Sequence, residues 1–351
     1  MKAKKNIRIL YNIPSLETVY AARWVYEGYK NACEQLDYPF KPYTSNDNLK
    51  QMLDSFKPNI FITSLNPYTR KFLDLELLKK YRNKKLVMFN QINSWKTMNN
   101  QLGGGLESNK EYVNEIKNGL SGDVFFNWLE QDDPSMDGFT KNTGYPYYTI
   151  LMAADTSQYY YDFDEGFQAD ISFVGNYLKD KRQFIKKHFL PLYKKYKVKT
   201  YGADWTIWSR GLGLVQKVGQ FFNIKPLKHV RKVPMLVDRK VYSSSTVNLN
   251  IHEDHQRKYG SDFNERTFKI IASGGFEICD NVKVLRRYFT KEELVIGENT
   301  KDWFEKIHYY LKYPEKRIPI IQAGKRKVLE YHTYKNRIKQ IIKIYLKEKS
   351  E

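Results

Sequence analysis

Only two cysteines, Cys33 and Cys279, occur in the 351 residues, and they stand far apart. Two thiols make neither a disulfide scaffold nor a four-ligand zinc site, so a reducing, cytoplasmic setting is the expectation. No stretch reaches the roughly 18 apolar residues that cross a bilayer. The basic start, Met1 to Lys5, runs into the strand-length Ile7–Tyr11, too short for a signal-peptide core. The GxGxxG fingerprint is missing, because Gly211-Leu-Gly213 lacks its third glycine and follows no convincing strand. Gly324-Lys325 lacks the upstream glycine of a phosphate loop and the hydroxyl residue after the lysine. His308 and His332 have no partners at ligand spacing, so no metal is expected. The acidic triplet Asp162-Phe-Asp164 reads as solvated linker charge.

What is abundant is apolar and basic. Hydrophobic residues make up 41% of the chain, enough for two cores in a length that suits two domains. Lysine and arginine (59) outnumber aspartate and glutamate (39), giving a formal charge of +20. Such a balance favours anionic partners, whether nucleotides, nucleic acid, acidic glycans or a membrane face, and does not choose among them. Peripheral membrane contact is compatible with it, although no amphipathic segment demands it.

Short apolar runs alternate with helical stripes along the whole chain. Residues 7–13, 59–65, 85–92, 122–127 and 147–153 read as buried parallel strands. Val19, Ala22, Tyr26, Tyr29 and Cys33 fall on one helical face after the first of them. The polar, tyrosine-rich segment 156–169 reads as a link. The grammar then restarts with strands at 170–176, 197–201, 246–251, 276–279 and 294–296, and it ends in helices. Alternation of this kind predicts an α/β protein with parallel sheets covered on both faces. The expected division is a first domain over 1–155, a second over 156–330 and a closing helix over 331–351.

The densest polar segment is 250–280. There a strand leads into a loop, a helix starts near Asn264 with Asp262 or Asn264 as cap, and Gly274-Gly275 ends it before the next strand. A loop at the carboxyl edge of a parallel strand, opening a helix, is where α/β sheets receive phosphate-bearing ligands. Arg266, in the first turn, can grip a diphosphate bidentately. The same pattern also suits a capped structural helix with a surface arginine.

Asn250-Ile-His252, Asn264-Glu-Arg266-Thr-Phe268 and Ala272-Ser-Gly-Gly-Phe276 together resemble the CgeB-like, spore-maturation branch of the group 1 glycosyltransferases. The likeness extends through Ile171-Ser-Phe-Val-Gly175, Tyr201-Gly-Ala-Asp-Trp205, Ala323-Gly-Lys-Arg326 and His332-Thr-Tyr334, and more loosely to Trp24–Tyr29 and Gly122–Phe125. It implies the GT-B fold: two facing Rossmann-like domains, the second holding a nucleotide-diphosphate-sugar, the first receiving an acceptor, and the last helix crossing back to the first domain.

Carried onto these positions, the resemblance places Asn264, Arg266 and the Ser273-Gly274-Gly275 turn against the diphosphate. Gly175 would allow close approach of the backbone, and Arg182 is a further phosphate candidate. Related transferases often hold the ribose with a glutamate one residue after Phe268, where this chain has Lys269; Glu265 or Glu277 must then substitute. Cationic groups at the leaving diphosphate stabilise the charge that develops there, so a metal-independent transfer is the expectation. An inverting enzyme also needs a base, for which Glu17 and His252 are candidates at the cleft. The expected acceptor is a protein, polysaccharide or surface glycan. Two alternatives stay open: a DNA-modifying sugar transferase, suited by the +20 charge, and an inactive nucleotide- or glycan-binding protein that kept the fold.

Overall fold

The computed structural model describes residues 7–16, 21–64, 66–82, 86–97, 105–222, 224–227 and 237–350. It divides into two compact units, Met1–Asp155 with Tyr334–Glu351, and Thr156–Thr333.

The first unit is built on a parallel sheet in the order β2-β1-β3-β4-β5-β6. Its strands are β1 (Ile9–Asn12), β2 (Phe40–Tyr43), β3 (Ile60–Ser64), β4 (Val87–Gln91), β5 (Val124–Asn127) and β6 (Tyr147–Thr149). Ile9 of β1 sits in register with Phe40 on one side and Ile60 on the other. The strands are short and nearly all apolar because helices cover both faces. β2 has no counterpart among the strands expected from the sequence. Phe40-Lys-Pro-Tyr43 carries a proline, which cannot donate to a ladder and is tolerated here because β2 lies at the sheet edge.

The helix Ala21–Gln35 lays Tyr29, Ala32 and Cys33 on this sheet, and the closing helix Tyr334–Glu348 lays Ile338, Ile341 and Ile342 into the same core. A Cβ on Gly28 would meet the Tyr334 ring at 2.3 Å, so the bare glycine is what admits that ring. Arg337 closes the contact by donating to the carbonyls of Leu151 (2.8 Å) and Met152 (3.2 Å). Ile338 has no exposed surface. Ile338→Ala is therefore expected to cost about 2–5 kcal/mol, seen as a lower midpoint in urea unfolding. A midpoint equal to that of the wild type would show that the closing helix is not part of this core.

The second unit has a parallel sheet in the order β11-β10-β9-β7-β8. It is formed by β7 (Ala169–Val174), β8 (Val198–Tyr201), β9 (Ser245–Asn250), β10 (Glu277–Asp280) and β11 (Val295–Gly297). Phe173, Phe189, Val247, Ile278 and Trp303 fill its core. The tyrosine-rich segment is tied into this unit by side-chain pairs while Tyr160, Tyr161 and Phe163 stay exposed. Tyr159 donates to Asp238 (2.9 Å), and Asp162 and Asp164 pair with Arg239 (2.7 Å) and Lys240 (2.9 Å). Asp162 and Asp164, read as solvated linker charge, are partly exposed and each also pairs with a cation of this unit. No helix among the described residues is long and apolar enough to cross a membrane.

Candidate functional site

In the second unit, polar residues gather at the carboxyl ends of β7, β9 and β10. Asn250, the last residue of β9, has no exposed surface and acts as the hub. Its Oδ1 accepts from Arg266 Nη1 (2.7 Å) and Asn264 Nδ2 (3.1 Å), while its Nδ2 donates to Glu277 Oε1 (2.8 Å) and Thr267 Oγ1 (3.0 Å). Asn264 also accepts from the Arg266 backbone N–H (3.1 Å), which fixes the start of the helix Arg266–Ala272. The guanidinium lies 5.5 Å from the centre of the Phe173 ring. It passes so close to Gly175 that a Cβ there would meet Nη2 at 3.1 Å. Gly175, Asn264 and Arg266, named separately from the sequence, thus form one constellation. Among the described residues Arg266 has no carboxylate partner.

A second cation, absent from the sequence expectations, faces Arg266. Lys181 is buried, and the carboxylate paired with it, Glu253, is 3.8 Å away. Burial first, and the charge of Arg266 second, push its ammonium down to about 8 from the usual 10.5. A buried lysine and a half-buried arginine that repel each other, with one carboxylate, Glu253, at 3.8 Å from the lysine, leave net positive charge at the site, which suits an anion. Lys181 stands one residue before Arg182, which instead turns onto the Tyr177 ring (5.4 Å). Periodicity alone cannot tell which of two adjacent basic residues points inward; Lys181 is the last residue of a short 3-10 turn before the helix Arg182–His188 begins.

Beneath the cations lies Glu277, fully enclosed and bonded to Asn250 and Thr267 (2.9 Å). Burial pushes its carboxyl up to about 7 from 4.5, against the pull of Asn250, Thr267 and Arg266. That location commits Glu277 to the support of Asn250. Glu265 and Lys269 pair with each other along the first turn of the helix, and Lys269 lies 5.1 Å from the Tyr159 ring. Glu265 Oε2 is buried without a hydrogen-bond partner.

Two expectations need correction. Ser273, Gly274 and Gly275 close the far end of the helix Arg266–Ala272. The N–H groups of Gly274 and Gly275 donate to Ile271 and Ile270 (3.0 Å each), and Gly274 takes φ +73°. This is a glycine C-cap. It lies at the amino end of β10, opposite the sheet edge that carries Gly175 and Arg266, so the turn cannot share a diphosphate with them. His252 is the other correction. Its ring is fully buried, with Nδ1 2.5 Å from Asp280 Oδ1, and its N–H donates to the same carboxylate (3.0 Å). Burial pushes Asp280 up, but contacts from His252 and Arg257 outweigh it and leave the carboxyl below its ordinary value. This network pins the loop after β9 to β10 and holds the ring away from the surface, with Nε2 buried and without a hydrogen-bond partner. Glu17 lies outside the described residues.

Asp180, Glu253 and His255 bring ligand atoms within 4.8 Å of one another; among the described residues they are the one group able to hold a cation.

The first unit has its own cavity, of about 420 Å³, at the carboxyl ends of β1, β3, β4 and β5. Asn12, Thr63, Gln91 and Asn127 line its polar side, and Tyr11, Tyr29 and Trp128 its aromatic side. None of the described lining residues carries a charge, in a chain of net +20. Asn12 donates to Thr63 (2.9 Å), and its Oδ1 is buried with no partner. The signal was present in the sequence: each of these strands ends its apolar run in an amide or hydroxyl residue.

Residues 182–343 match the model of a family described as glycosyl transferase-like. No curated protein sequence matches the chain. Among solved structures, the chain is similar to sucrose-phosphate synthase from Thermosynechococcus elongatus (TM-score 0.61, 10% identity, 97% of this chain and 98% of that one). It is similar to Anabaena Alr3699/HepE in complex with UDP and glucose (0.59, 10%, 96% and 99%). It is also similar to an alpha-glucosyltransferase in complex with UDP and a 13-mer DNA containing a HMU base (0.60, 10%, 97% and 99%). Likeness at this identity establishes the fold, which is GT-B.

Proposed function

We propose that the chain is a glycosyltransferase that takes its sugar from a nucleotide-diphosphate donor held in the second unit and transfers it to an uncharged acceptor group in the first. The observation that carries this reading is the half-buried Arg266, set against the bare backbone of Gly175, with the buried Lys181 close enough to feel its charge. Transfer adds one negative charge to a diphosphate that already carries two, because the bonding pair of the broken glycosidic bond stays on its terminal oxygen. Fixed cations at such a site stabilise that developing charge more than the ground state. Asn250 and Asn264 hold Arg266 in place, so little reorganisation is needed as the bond breaks. Glu265, whose Oε2 is buried with no hydrogen-bond partner, is proposed to accept from a ribose hydroxyl in place of the glutamate that Lys269 displaces. Donors of the UDP-sugar class head the list because the complexes of similar fold contain UDP.

Two cations are sufficient for the leaving group, so transfer is proposed to proceed without a metal. Asp180, Glu253 and His255 mark where a divalent ion would sit if one takes part. In the first unit, amides and aromatic faces without charge match a neutral, hydroxyl-rich glycan. A second reading, a modified base in DNA, draws on the DNA-bound structure of similar fold and the +20 charge. The uncharged lining of the cavity favours the glycan.

The test is release of UDP from UDP-glucose and related donors in the presence of EDTA, with neutral oligosaccharides or a duplex bearing a hydroxymethylated base as acceptor. Oligosaccharide-dependent release in EDTA is expected. Release that requires Mn²⁺ would overturn metal independence, and release with the duplex alone would establish the second reading.

Lys181 adds a pH dependence. A bound diphosphate favours the protonated amine, so above pH 8 binding must also take up a proton. Nucleotide affinity should thus fall as pH rises beyond about 8, by up to about tenfold per unit. Lys181→Met should bind at least about tenfold more weakly at pH 7 and lose this slope. A slope unchanged in the variant would place the titrating group elsewhere.

A further inference from the structure

The helix Ile207–Phe221 in the second unit is inverted with respect to an ordinary surface helix. Its buried side is made of Gly213, Gln216 and Gly219, and a Cβ on Gly219 would meet Leu227 at 2.4 Å. Its outward side is apolar: Ile207 is 83% exposed, Trp208 77%, Leu214 65% and Phe222, just past the end, 65%. Val215 and Val218 continue that face. At 100° per residue these six side chains span an arc of roughly 120°, which is the apolar stripe of an amphipathic helix turned outward. Arg210 and Lys217 flank it along one edge. From Thr206 to Val237 the sequence holds six lysines and arginines and no aspartate or glutamate.

We propose that this face docks the protein on an anionic lipid bilayer, with the helix lying in the interface plane. Aliphatic and aromatic side chains of this size, exposed as one stripe, are costly in water and find an apolar medium a few ångströms below the headgroups. Tryptophan at one end and phenylalanine at the other suit the headgroup boundary. The charge selects the occupant. A second copy would bring the same basic segment and another +20 chain against the first. A nucleic-acid backbone would satisfy the cations but bury none of the stripe. An anionic membrane surface accepts both, each basic residue adding to the attraction.

The experiment is flotation of the full chain with vesicles of phosphatidylglycerol in phosphatidylcholine, roughly one part to two, and with phosphatidylcholine alone. Wild type is expected to float with the anionic vesicles at least about tenfold more than with the neutral ones, and to detach as salt rises. The double variant L214E/V218E should lose at least about tenfold of that binding. Neither residue touches the nucleotide site, so its UDP-induced thermal shift should match the wild type and report an intact fold. Retained flotation of the folded double variant would overturn the proposal, because charge alone would then suffice. So would absence of wild-type binding. A concentration-dependent dimer that the double variant abolishes, without vesicle binding, would assign the face to a second copy and equally overturn it. Duplex DNA binding lost in the double variant, again without vesicle binding, would do the same.

Discussion

Arg266→Ala is expected to weaken nucleoside diphosphate binding by one hundred-fold or so and to lower transfer by about 10²–10³, a loss on the order of 3–4 kcal/mol. The guanidinium is the one strong donor group that Asn250, Asn264 and Phe173 jointly orient toward Gly175, so no neighbour can replace it. The thermal behaviour of the free protein separates this role from a structural one. Arg266 lacks a carboxylate partner, and its charge lowers the pKa of Lys181. Removing it relieves that repulsion but gives up its bond to Asn250, whose Oδ1 keeps Asn264, so the unliganded melting temperature should change by no more than about a degree or two. A drop of several degrees, with nucleotide binding retained, would make Arg266 a structural residue. Arg266→Lys should recover part of the affinity, because it restores the charge but not the planar, two-pronged grip.

Glu277→Gln is expected to stabilise the folded protein at pH 8.5 by about 1–3 kcal/mol and to have little effect at pH 4.5 or below. The sign follows from burial. The folded-state carboxyl titrates near 7 and the unfolded one near 4.5. Between those values the unfolded chain has released a proton that the folded chain still holds. The stability this provides is complete below 4.5 and is lost as pH rises through 7. Glutamine keeps the oxygen that Asn250 and Thr267 bond and cannot ionise, so the loss disappears. In a chain with units of this size the difference corresponds to a gain of roughly 3–8 °C in melting temperature at pH 8.5. Equal pH profiles for variant and wild type would mean that Glu277 is ionised and compensated across the range.

The strands of both sheets, β2 apart, were legible because buried parallel strands are written as short apolar runs between turn signals, from Ile9–Asn12 to Val295–Gly297. Gly175 and Asn264 were named through the resemblance and Arg266 also from its place in the first helical turn; the structure brings the three together, and their role toward a diphosphate remains the proposal. Asn250 was less legible: an amide that ends an apolar strand looks like any polar loop residue until its four bonds are seen. The sequence already put Gly274-Gly275 at the end of the helix; the phosphate role for the Ser273-Gly274-Gly275 turn came from the resemblance, and the helix carries it away from Arg266. His252 sat at a strand end, where a base could stand, and only burial against Asp280 removes it. Gly211-Leu-Gly213 counted as a failed fingerprint, yet its second glycine lies on the buried side of a helix whose apolar face turns outward. A hydrophobic period tells that a helix has an apolar face, not which way that face turns.

The measurement that bears most directly on the central claim is isothermal titration of the wild-type chain with UDP at pH 7 in EDTA, repeated with Arg266→Ala and Lys181→Met. Saturable single-site binding by the wild type, strongly weakened in both variants, is the predicted result. A folded wild type that gives no binding heat and no thermal shift with UDP or any other nucleoside diphosphate would contradict it, and would leave the two cations without a leaving group to stabilise.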